Sequence, residues 1–211
     1  MSTAATDWLA RIRERLQGSA PRHAAEDWVL PGLTTEQSRH YRPYFPAEPV
    51  PAAVLVSVIA RPEPTVLLTQ RAADLRHHAG QVSFAGGRIE PEDADPAAAA
   101  LREAHEEIGL PGEFVSVVGY LPDHIMPSGY RVTPVVGLVR PGFELAPDPA
   151  EVADTFEVPL AYLFDPANRR PRRRRYGPDE AEVELCDIVW GERIIWGATA
   201  GMLVALQRLC V

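Results

Sequence analysis

The chain has 211 residues, of which 46% are hydrophobic and 24% are charged, and its formal net charge is −8. This length and composition are typical of one globular domain with a hydrophobic core. The acidic balance disfavours broad nucleic-acid binding, because such binding needs positive charge to displace counterions from phosphates. A small phosphorylated ligand remains compatible with it, since a bound divalent metal can supply positive charge locally.

No apolar run approaches the length of a membrane span, and the first residues lack the apolar segment of a secretory signal. The two cysteines, Cys186 and Cys210, do not lie in a CxxC or Cys/His pattern. Their spacing therefore indicates neither a zinc site nor a disulfide framework. Because two free thiols suit a reducing compartment, we expect a cytoplasmic protein with no membrane partner.

The first fifty residues predict a helix followed by an extended lead-in. Four apolar residues recur at helical spacing, with Arg and Glu between them: Trp8, Leu9, Ile12 and Leu16. From there to Pro51 the chain is rich in proline and polar residues, and it is too short to form a second domain. We therefore assign residues 1–50 to an N-terminal helix and lead-in, and residues 51–211 to the main domain.

The next part of the chain predicts a β-hairpin and then a loop. Residues Ala52–Ala60 are β-branched and almost wholly apolar, which predicts a strand buried on both faces. The turn sequence Arg61-Pro62-Glu63-Pro64 separates it from a second predicted strand, Thr65–Gln70. Between Arg71 and Pro96 periodicity is weak, and glycine, histidine and acidic residues are frequent, as in functional loops.

A helix is predicted after this loop, because Asp95 can cap it, Pro96 suits its first position and Gly109 can end it. We predict further elements in chain order: strands at Glu113–Leu121, Arg131–Val139, Val183–Val189 and Arg193–Ile195, and a helix at Ala198–Leu209. The segment Pro141–Pro159 is rich in proline and acids and predicts a loop. Together these elements predict one α/β (α+β) domain with helices packed on a mixed sheet.

The predicted helix concentrates three carboxylates on one face. On a helical wheel of roughly 100° per residue, Glu106 and Glu107 lie within about 60° of Glu103. Three apolar residues lie roughly 100–160° away from it: Leu101, Ala104 and Ile108. The helix can therefore pack on a sheet and still present its acids outward.

Like charges at this spacing destabilise a helix, and anions are disfavoured near its C-terminus. The arrangement therefore needs a compensating cation, and carboxylate oxygens are hard ligands that suit Mg²⁺ or Mn²⁺. On its own, the stretch LREAHEEIGL also has a simpler interpretation. It can be a solvated acidic surface with Arg102 as a partner.

The sequence around this helix resembles the Nudix box. Gly86-Gly87-Arg88-Ile89-Glu90-Pro91-Glu92-Asp93, a spacer, and REAHEEIGL at Arg102–Leu110 are similar to the pattern Gly-x5-Glu-x7-Arg-Glu-U-x-Glu-Glu-x-Gly-U, where U is aliphatic. Counted from Gly87, the left half is one residue longer here than in the pattern. Glu92 and Asp93 are the candidates for the first Glu of the box.

A second motif lies upstream of the box. LLTQRA at Leu67–Ala72, then Arg76, Gly80 and FAGG at Phe84–Gly87 resemble the signature LLTxR[S/A]…R…G…FPGG of the coenzyme A pyrophosphatase branch of the Nudix family. That branch also carries the one-residue extension of the box. Ala85 stands where the branch usually has Pro, a change that removes no chemical group. IWGATA at Ile195–Ala200 also resembles the closing helix of the branch.

The resemblance implies a Nudix-type α/β/α sandwich over residues 51–211 and metal-dependent hydrolysis of a pyrophosphate bond. For coenzyme A the products are 3′,5′-ADP and 4′-phosphopantetheine. The alternatives are another nucleoside diphosphate derivative (ADP-ribose, NADH or a dinucleoside polyphosphate) and a non-catalytic nucleotide sensor. A sensor would be expected to have lost box glutamates, and this chain retains all three. The implied partner is a small-molecule substrate, and relatives suggest a homodimer.

The resemblance also implies roles for the box residues. Glu103 and Glu107 are the foremost ligands for Mg²⁺ or Mn²⁺, and Glu106 is a further ligand or a catalytic base. Arg102 is expected to pair with one of these glutamates and orient it. The two glycines of the box, Gly86 and Gly87, permit close backbone approach and offer a carbonyl ligand.

Residues outside the box complete the predicted site. Arg71 and Arg76, in the upstream motif, are candidates for contacts with substrate phosphates. Glu151 and Asp154, in the acidic loop Asp148–Asp154, are alternative candidates for the general base, and a solvated loop is the simpler interpretation of Asp154. The run Arg169–Arg175 contains six arginines, and we interpret it as a mobile solvated loop, with phosphate or RNA binding as the alternative.

Overall fold

The computed structural model describes residues 7–21, 36, 38–39, 42, 45, 47–74, 79–126, 128–176 and 181–211. Its elements in chain order are α1 (Trp8–Leu16), β1 (Val50–Ile59), β2 (Thr65–Arg71), β3 (Val82–Ser83), β4 (Gly86–Arg88), α2 (Pro96–Ile108), β5 (Val115–Tyr120), β6 (His124–Ile125), β7 (Tyr130–Val139), β8 (Val152–Pro159), α3 (Leu160–Phe164), β9 (Arg169–Tyr176), β10 (Ala181–Trp190), β11 (Arg193–Ile195) and α4 (Gly197–Cys210). Within these residues no helix is both long and apolar enough to cross a membrane.

A mixed sheet of eight strands forms the centre of the fold. β1 pairs in parallel with β7 along its whole length, and it pairs antiparallel with β4 near its start and with β2 near its end. β5 and β6 pair with β7, whereas β3 and β8 pair with β2. A second, antiparallel sheet has the strand order β11-β10-β9.

Hydrophobic clusters cover both faces of the central sheet. On one face the alanines of α2, such as Ala100 and Ala104, pack with Leu55 and Val135. Neighbouring strand residues with the opposite orientation, such as Val56, join α1 and α4 in the other cluster. Helices on both faces of a mixed sheet make an α/β/α arrangement, so the predicted fold class is confirmed.

The N-terminal helix α1 forms where it was predicted and is part of the core. Ile12 is completely buried, and the ring of Trp8 packs edge-on against Phe164 at 5.1 Å between centroids. Arg11 Nη1 donates a hydrogen bond to the carbonyl oxygen of Cys210 at 3.0 Å, which ties α1 to the end of α4. The division of the chain at residues 50 and 51 remains our proposal for the extent of the catalytic unit.

The helix of the predicted site, α2, begins and ends at the expected residues. Asp95 Oδ1 accepts a hydrogen bond from Ala98 N at 2.8 Å, and Pro96 is the first helical residue. Gly109 ends the helix in a left-handed conformation with φ 67°. Because the helix ends are fixed and its alanine face is buried, the glutamates on α2 have a defined position above the sheet.

One segment predicted as a loop contains a strand, since β8 lies inside Pro141–Pro159. It pairs antiparallel with β2, from Thr65↔Pro159 to Arg71↔Val152, with a register shift between Gln70 and Arg71. The shift interrupts the alternation of side chains, so that Val152 joins the α2 cluster whereas Val158 joins the opposite one. The loop prediction was wrong because this irregularity hid the two-residue period.

The arginine run also forms a strand, β9, so its interpretation as a mobile loop was wrong. β9 pairs with β10 from Arg169↔Ile188 to Tyr176↔Ala181. Acidic residues of β10 pair with the arginines: Arg172 Nε lies 3.0 Å from Asp187 Oδ2, and Arg175 Nη2 lies 3.4 Å from Glu182 Oε1. Cross-strand charge pairs of this kind let an arginine-rich segment remain in a sheet.

Candidate active site

Two glycines of β4 let the glutamate helix lie directly on the sheet. Gly86 has φ 156°, and a Cβ atom there would overlap the backbone of Ala53 and Val54. A Cβ atom on Gly87 would overlap the carboxylate of Glu103. Gly86 therefore cannot be replaced without moving the backbone of β1, whereas Gly87 leaves the space that the Glu103 carboxylate occupies.

Glu107 is the most buried of the three box glutamates, with 4% exposure. Its Oε2 accepts a hydrogen bond from Gly86 N at 3.3 Å, and its Oε1 lies 3.7 Å from Arg71 Nη1. Burial raises the pKa of Glu107 to about 7, opposed by Arg71 and the Gly86 amide and assisted by the negative charges of Glu103 and Glu151. The helical wheel predicted an outward orientation for all three acids, and this is wrong for Glu107.

Glu103 lies beside Glu107 and is partly buried against Gly87. Burial raises the pKa of Glu103, while Arg102, at 2.9 Å from its Oε1, lowers it. The negative charges of Glu106 and Glu151 also raise this pKa. The negative charge of Glu103 in turn helps to raise the pKa of Glu107, so the two glutamates form a carboxylate pair whose charge a cation would offset.

Arg102 organises the side of the site formed by the box loop. Its Nε and Nη2 contact Asp93 at 3.1 and 2.9 Å, and Nη2 also donates to the carbonyl oxygen of Arg88 at 3.1 Å. Its Nη1 contacts Glu103 and Glu106 at 2.9 and 3.0 Å. With its donors directed at protein oxygens, Arg102 orients these acids. The carbonyl partner on Arg88 was missed, because a backbone contact leaves no signal in residue type.

The structure distinguishes the two candidates for the first acid of the box. Asp93 pairs with Arg102, and this hydrogen bond lowers the pKa of Asp93. Glu92 is exposed. The extra residue in the box loop therefore brings the shorter acid, Asp93, against the helix.

The remaining acids differ in their relation to this pair. The side chain of Glu106 is 57% exposed and pairs with Arg102. Glu151 is exposed, its charge acts on both Glu103 and Glu107, and its carbonyl oxygen accepts a hydrogen bond from Ala72 N at 2.8 Å. Asp154 pairs with Arg193 and lies opposite Gln70. Leu68, two residues before Gln70 and on the same face of β2, belongs to the hydrophobic cluster on the side of the sheet opposite α2. Asp154 is thus separated from the glutamate pair.

Arg71 occupies the end of β2, beside the register shift with β8. Its guanidinium faces Glu107, and its Nε is buried without a hydrogen-bond partner among the residues that the structure describes. Arg76, the second predicted phosphate contact, lies outside the described residues. Of the two arginines predicted to bind substrate, Arg71 is the one within the described residues, and its guanidinium lies next to Glu107.

The residues present fit a divalent cation, although the described part of the chain contains no group of three or more His, Cys, Asp or Glu side chains close enough to enclose one. Glu103 and Glu107 lie against glycine backbone, and burial raises the pKa of both. Glu151 adds a third negative charge within range of the pair. Hard carboxylate oxygens without sulfur or imidazole are the donors that Mg²⁺ and Mn²⁺ prefer.

Comparison with known proteins agrees with this geometry. The family model of the NUDIX domain matches residues 49–179. A protein of Photorhabdus laumondii named as an uncharacterized Nudix hydrolase NudL is 43% identical over 166 residues, which is 74% of this chain and 83% of the relative. The NudL protein of Escherichia coli K12 is 43% identical over 159 residues, covering 74% of this chain and 81% of the relative.

Solved structures with a similar fold include an Ap4A hydrolase of C. elegans, at 20% identity and a TM-score of 0.45 over 52% of this chain and 80% of that one. The Nudix hydrolase RenU of M. smegmatis has 26% identity and a TM-score of 0.46 over 53% of this chain and 71% of that one. These likenesses are partial, and the assignment rests on the family model and the NudL relatives. The model covers more than half of the chain and both relatives share more than two fifths of the aligned residues, so the chain belongs to the Nudix family of hydrolases.

Proposed function

We propose that this Nudix hydrolase cleaves the pyrophosphate bond of coenzyme A or its derivatives, with Mg²⁺ or Mn²⁺, and releases 3′,5′-ADP and 4′-phosphopantetheine. One observation carries the proposal: Arg71 and Gly86, from opposite ends of the upstream coenzyme A motif, both contact Glu107 of the Nudix box. Arg71 belongs to the upstream motif alone, whereas Gly86 lies where the two motifs overlap, and both lie at the same box carboxylate.

The proposed roles follow from the geometry of the site. Glu103 and Glu107 would hold the divalent ion, with Glu106 or a carbonyl of Gly86 or Gly87 as further ligands. When bound, the ion lowers the pKa of a water molecule and offsets the charge of the phosphoryl oxygens. Arg102 is a positioning residue, because it holds Glu103 and Glu106 by direct ion pairs.

Two acids are candidates for accepting the proton of the attacking water. Glu151 is exposed and its charge reaches both members of the carboxylate pair, which favours it. Glu106 is the second candidate, and its ion pair with Arg102 already occupies one of its carboxylate oxygens. Arg71 and Arg76 are proposed to bind the phosphates of the substrate, where a guanidinium can offer two parallel donors.

The setting of the reaction is also part of the proposal. We assign the protein to the cytoplasm, in agreement with the free thiols of Cys186 and Cys210. The proposed partner is a small-molecule substrate, with no nucleic acid or membrane, and we propose a homodimer from the resemblance to other Nudix enzymes.

A substrate panel tests the proposed activity. The protein is assayed with Mg²⁺ or Mn²⁺ against coenzyme A, acetyl-coenzyme A, ADP-ribose, NADH and a dinucleoside polyphosphate, and products are identified by mass spectrometry. We expect 3′,5′-ADP from coenzyme A at the highest kcat/KM. Absence of 3′,5′-ADP would exclude the coenzyme A assignment, and cleavage of another member would identify a different Nudix substrate. Turnover of no member would favour a nucleotide sensor.

Two variants connect this activity to the site. Glu107→Gln removes a proposed ligand and should reduce kcat by about a thousandfold, the scale of losing a major electrostatic contribution to catalysis. Glu184→Gln removes an equal charge from an exposed position on β10 and should leave kcat unchanged. Equal activity of both variants would refute the role of Glu107.

A further inference from the structure

The two arginines that contact the box glutamates are held in different ways. Arg102 makes direct contacts between 2.9 and 3.1 Å with Asp93, Glu103, Glu106 and the Arg88 carbonyl. Arg71 instead lies 3.7 Å from Glu107, beyond hydrogen-bond distance. Arg102 is therefore fixed in place, whereas Arg71 neutralises Glu107 through charge alone.

The guanidinium of Arg71 has donor capacity that Glu107 does not use. Its Nε is buried and has no hydrogen-bond partner within the described part of the chain. The side chain is 25% exposed, so part of it is accessible to solvent. An anionic ligand that accepts hydrogen bonds from Arg71 would remove the cost of this buried donor, which Glu107 at its present distance does not.

Arg71 and a divalent ion compete for the same carboxylate. Glu107 is almost fully buried and faces the Arg71 guanidinium on one side and the Gly86 amide on the other. An ion bound to this carboxylate would lie within a few ångströms of the guanidinium, and like charges at such a distance in a partly buried site repel strongly. The single negative charge of Glu107 does not neutralise both cations, so a further anion is needed to hold them close together.

We propose that Arg71 is an exchangeable counter-cation: it neutralises Glu107 until a divalent ion takes its place, and it then turns to the pyrophosphate group of the substrate. This inference rests on the proposed metal-dependent hydrolysis and adds the order in which the ion and the substrate bind. The ion releases the arginine, the arginine binds the substrate, and the substrate phosphates offset the repulsion between the two cations. Ion and pyrophosphate ligand therefore bind cooperatively, each increasing the affinity for the other by the same factor.

Binding measurements on the full chain test the exchange without turnover. Free Mn²⁺ is measured by electron paramagnetic resonance at pH 8.5, with and without α,β-methylene-ADP, so that chelation by the nucleotide is included in the analysis. We expect Arg71→Gln to bind Mn²⁺ about tenfold more tightly than the wild type when no nucleotide is present, because no cation must be displaced. The nucleotide should increase the Mn²⁺ affinity of the wild type at least tenfold, and that of Arg71→Gln by a clearly smaller factor.

Two further variants separate charge from general disturbance of the site. Arg71→Lys retains the cation and should keep an Mn²⁺ affinity close to that of the wild type. Arg61→Gln removes an exposed arginine that pairs with Glu157, and it should change nothing in the binding of Mn²⁺. Tighter Mn²⁺ binding by Arg71→Lys, or unchanged or weaker binding by a folded Arg71→Gln, would overturn the exchange.

The wild type alone can also refute the inference, so it does not depend on the folding of Arg71→Gln. If α,β-methylene-ADP leaves the Mn²⁺ affinity of the wild type unchanged, no cooperative exchange occurs. The failure of this inference is distinguishable from that of the proposed function. The substrate panel reports which pyrophosphate is cleaved, whereas the Mn²⁺ titration reports how Arg71 and the ion share Glu107.

Discussion

At the scale of single residues, the site combines two closely packed glycines with glutamates whose burial disfavours their charged form. Because Gly86 and Gly87 have no side chain, the glutamates of α2 can pack directly against the backbone of β4. Glu107 is buried, and burial of a charged carboxylate is energetically unfavourable. This raises the pKa of Glu107 to about 7. Such placement is unfavourable for the fold and useful for binding a cation, which is a common compromise at active sites.

The burial of Glu107 predicts a gain in stability when its charge is removed. An acid whose pKa is higher in the folded than in the unfolded chain lowers the free energy of unfolding as pH rises from about 4.5 to 7. Glu107→Gln should therefore stabilise the protein at pH 8 in EDTA, by roughly 1–3 kcal/mol, and have little effect at pH 4.5. Urea unfolding at both pH values measures this, and destabilisation at pH 8 would contradict it.

Gly87 predicts a sharp steric effect. In Gly87→Ala the new methyl group overlaps the Glu103 carboxylate, which must leave its position beside Arg102. We expect kcat to fall about a hundredfold, a loss typical of misplaced catalytic groups. Gly112→Ala is the matched control, because a Cβ atom there has nothing within 4 Å. Steady-state kinetics of both variants check the prediction, and similar kcat values would refute it.

At the scale of elements, the sequence predicted those whose signals are local. Asp95, Pro96 and Gly109 determine the ends of α2, and these signals are complete within the helix itself. β8 and β9 escaped prediction because each depends on a partner strand. In β8 a register shift opposite Gln70 and Arg71 interrupts the two-residue alternation that predicts a strand. In β9 the arginine charges are offset by acidic residues of β10, which lie elsewhere in the sequence.

The same distinction applies to the site. The wheel grouped the three glutamates correctly on one face of α2, since their angular relation is a property of the helix alone. It could not predict that Glu107 is buried, because that depends on β4 lying beneath it. The choice between Glu92 and Asp93 likewise required the position of Arg102 relative to the box loop.

Strand β6 contains a buried histidine that predicts acid sensitivity. Burial lowers the pKa of His124 to about 4, although the carbonyl oxygen of Pro122 lies 3.0 Å from its Nδ1. A histidine whose folded pKa lies below its unfolded value near 6.5 contributes fully above pH 6.5 and loses that contribution as pH falls towards 4. The free energy of unfolding should decrease by about 2 kcal/mol between pH 7 and 5 through this group.

His124→Gln isolates the contribution of this histidine from that of Glu107, whose pH dependence has the opposite sign. Glutamine keeps a donor near the Pro122 carbonyl and cannot ionise. We expect the difference in unfolding free energy between the wild type and this variant to shrink as pH falls from 7 to 5. A difference that stays constant over this range would contradict the assignment.

At the scale of the whole molecule, two hydrophobic clusters on opposite faces of one sheet have separate tasks. The α2 cluster positions the glutamates, whereas the cluster with α1 and α4 has no proposed ligand and serves stability. α1 lies on the second face, far along the chain from the box, and contributes the fully buried Ile12. Residues before the predicted main domain thus take part in its core.

Ile12 predicts that α1 stabilises the whole fold. Ile12→Ala leaves a cavity in the cluster shared with α4 and should reduce the free energy of unfolding by about 2–4 kcal/mol. Arg13→Ala, on the exposed side of the same helix, should change it by less than about 0.5 kcal/mol. Because α1 packs on the face opposite the glutamates, kcat of the folded variants should remain close to that of the wild type. Chemical unfolding and kinetics measure both quantities.

The parallel pairing of β1 with β7 has a consequence for how activity is acquired. The pairs run from Val50↔Tyr130 to Ile59↔Val139, and β4 and α2, which carry the glycines and glutamates, lie in the chain between these strands. Long-range parallel pairing raises the contact order of a fold and slows its formation. During refolding from denaturant, hydrolase activity should therefore return only in the slowest kinetic phase, when β1 and β7 pair and close the crossover that carries the proposed active site.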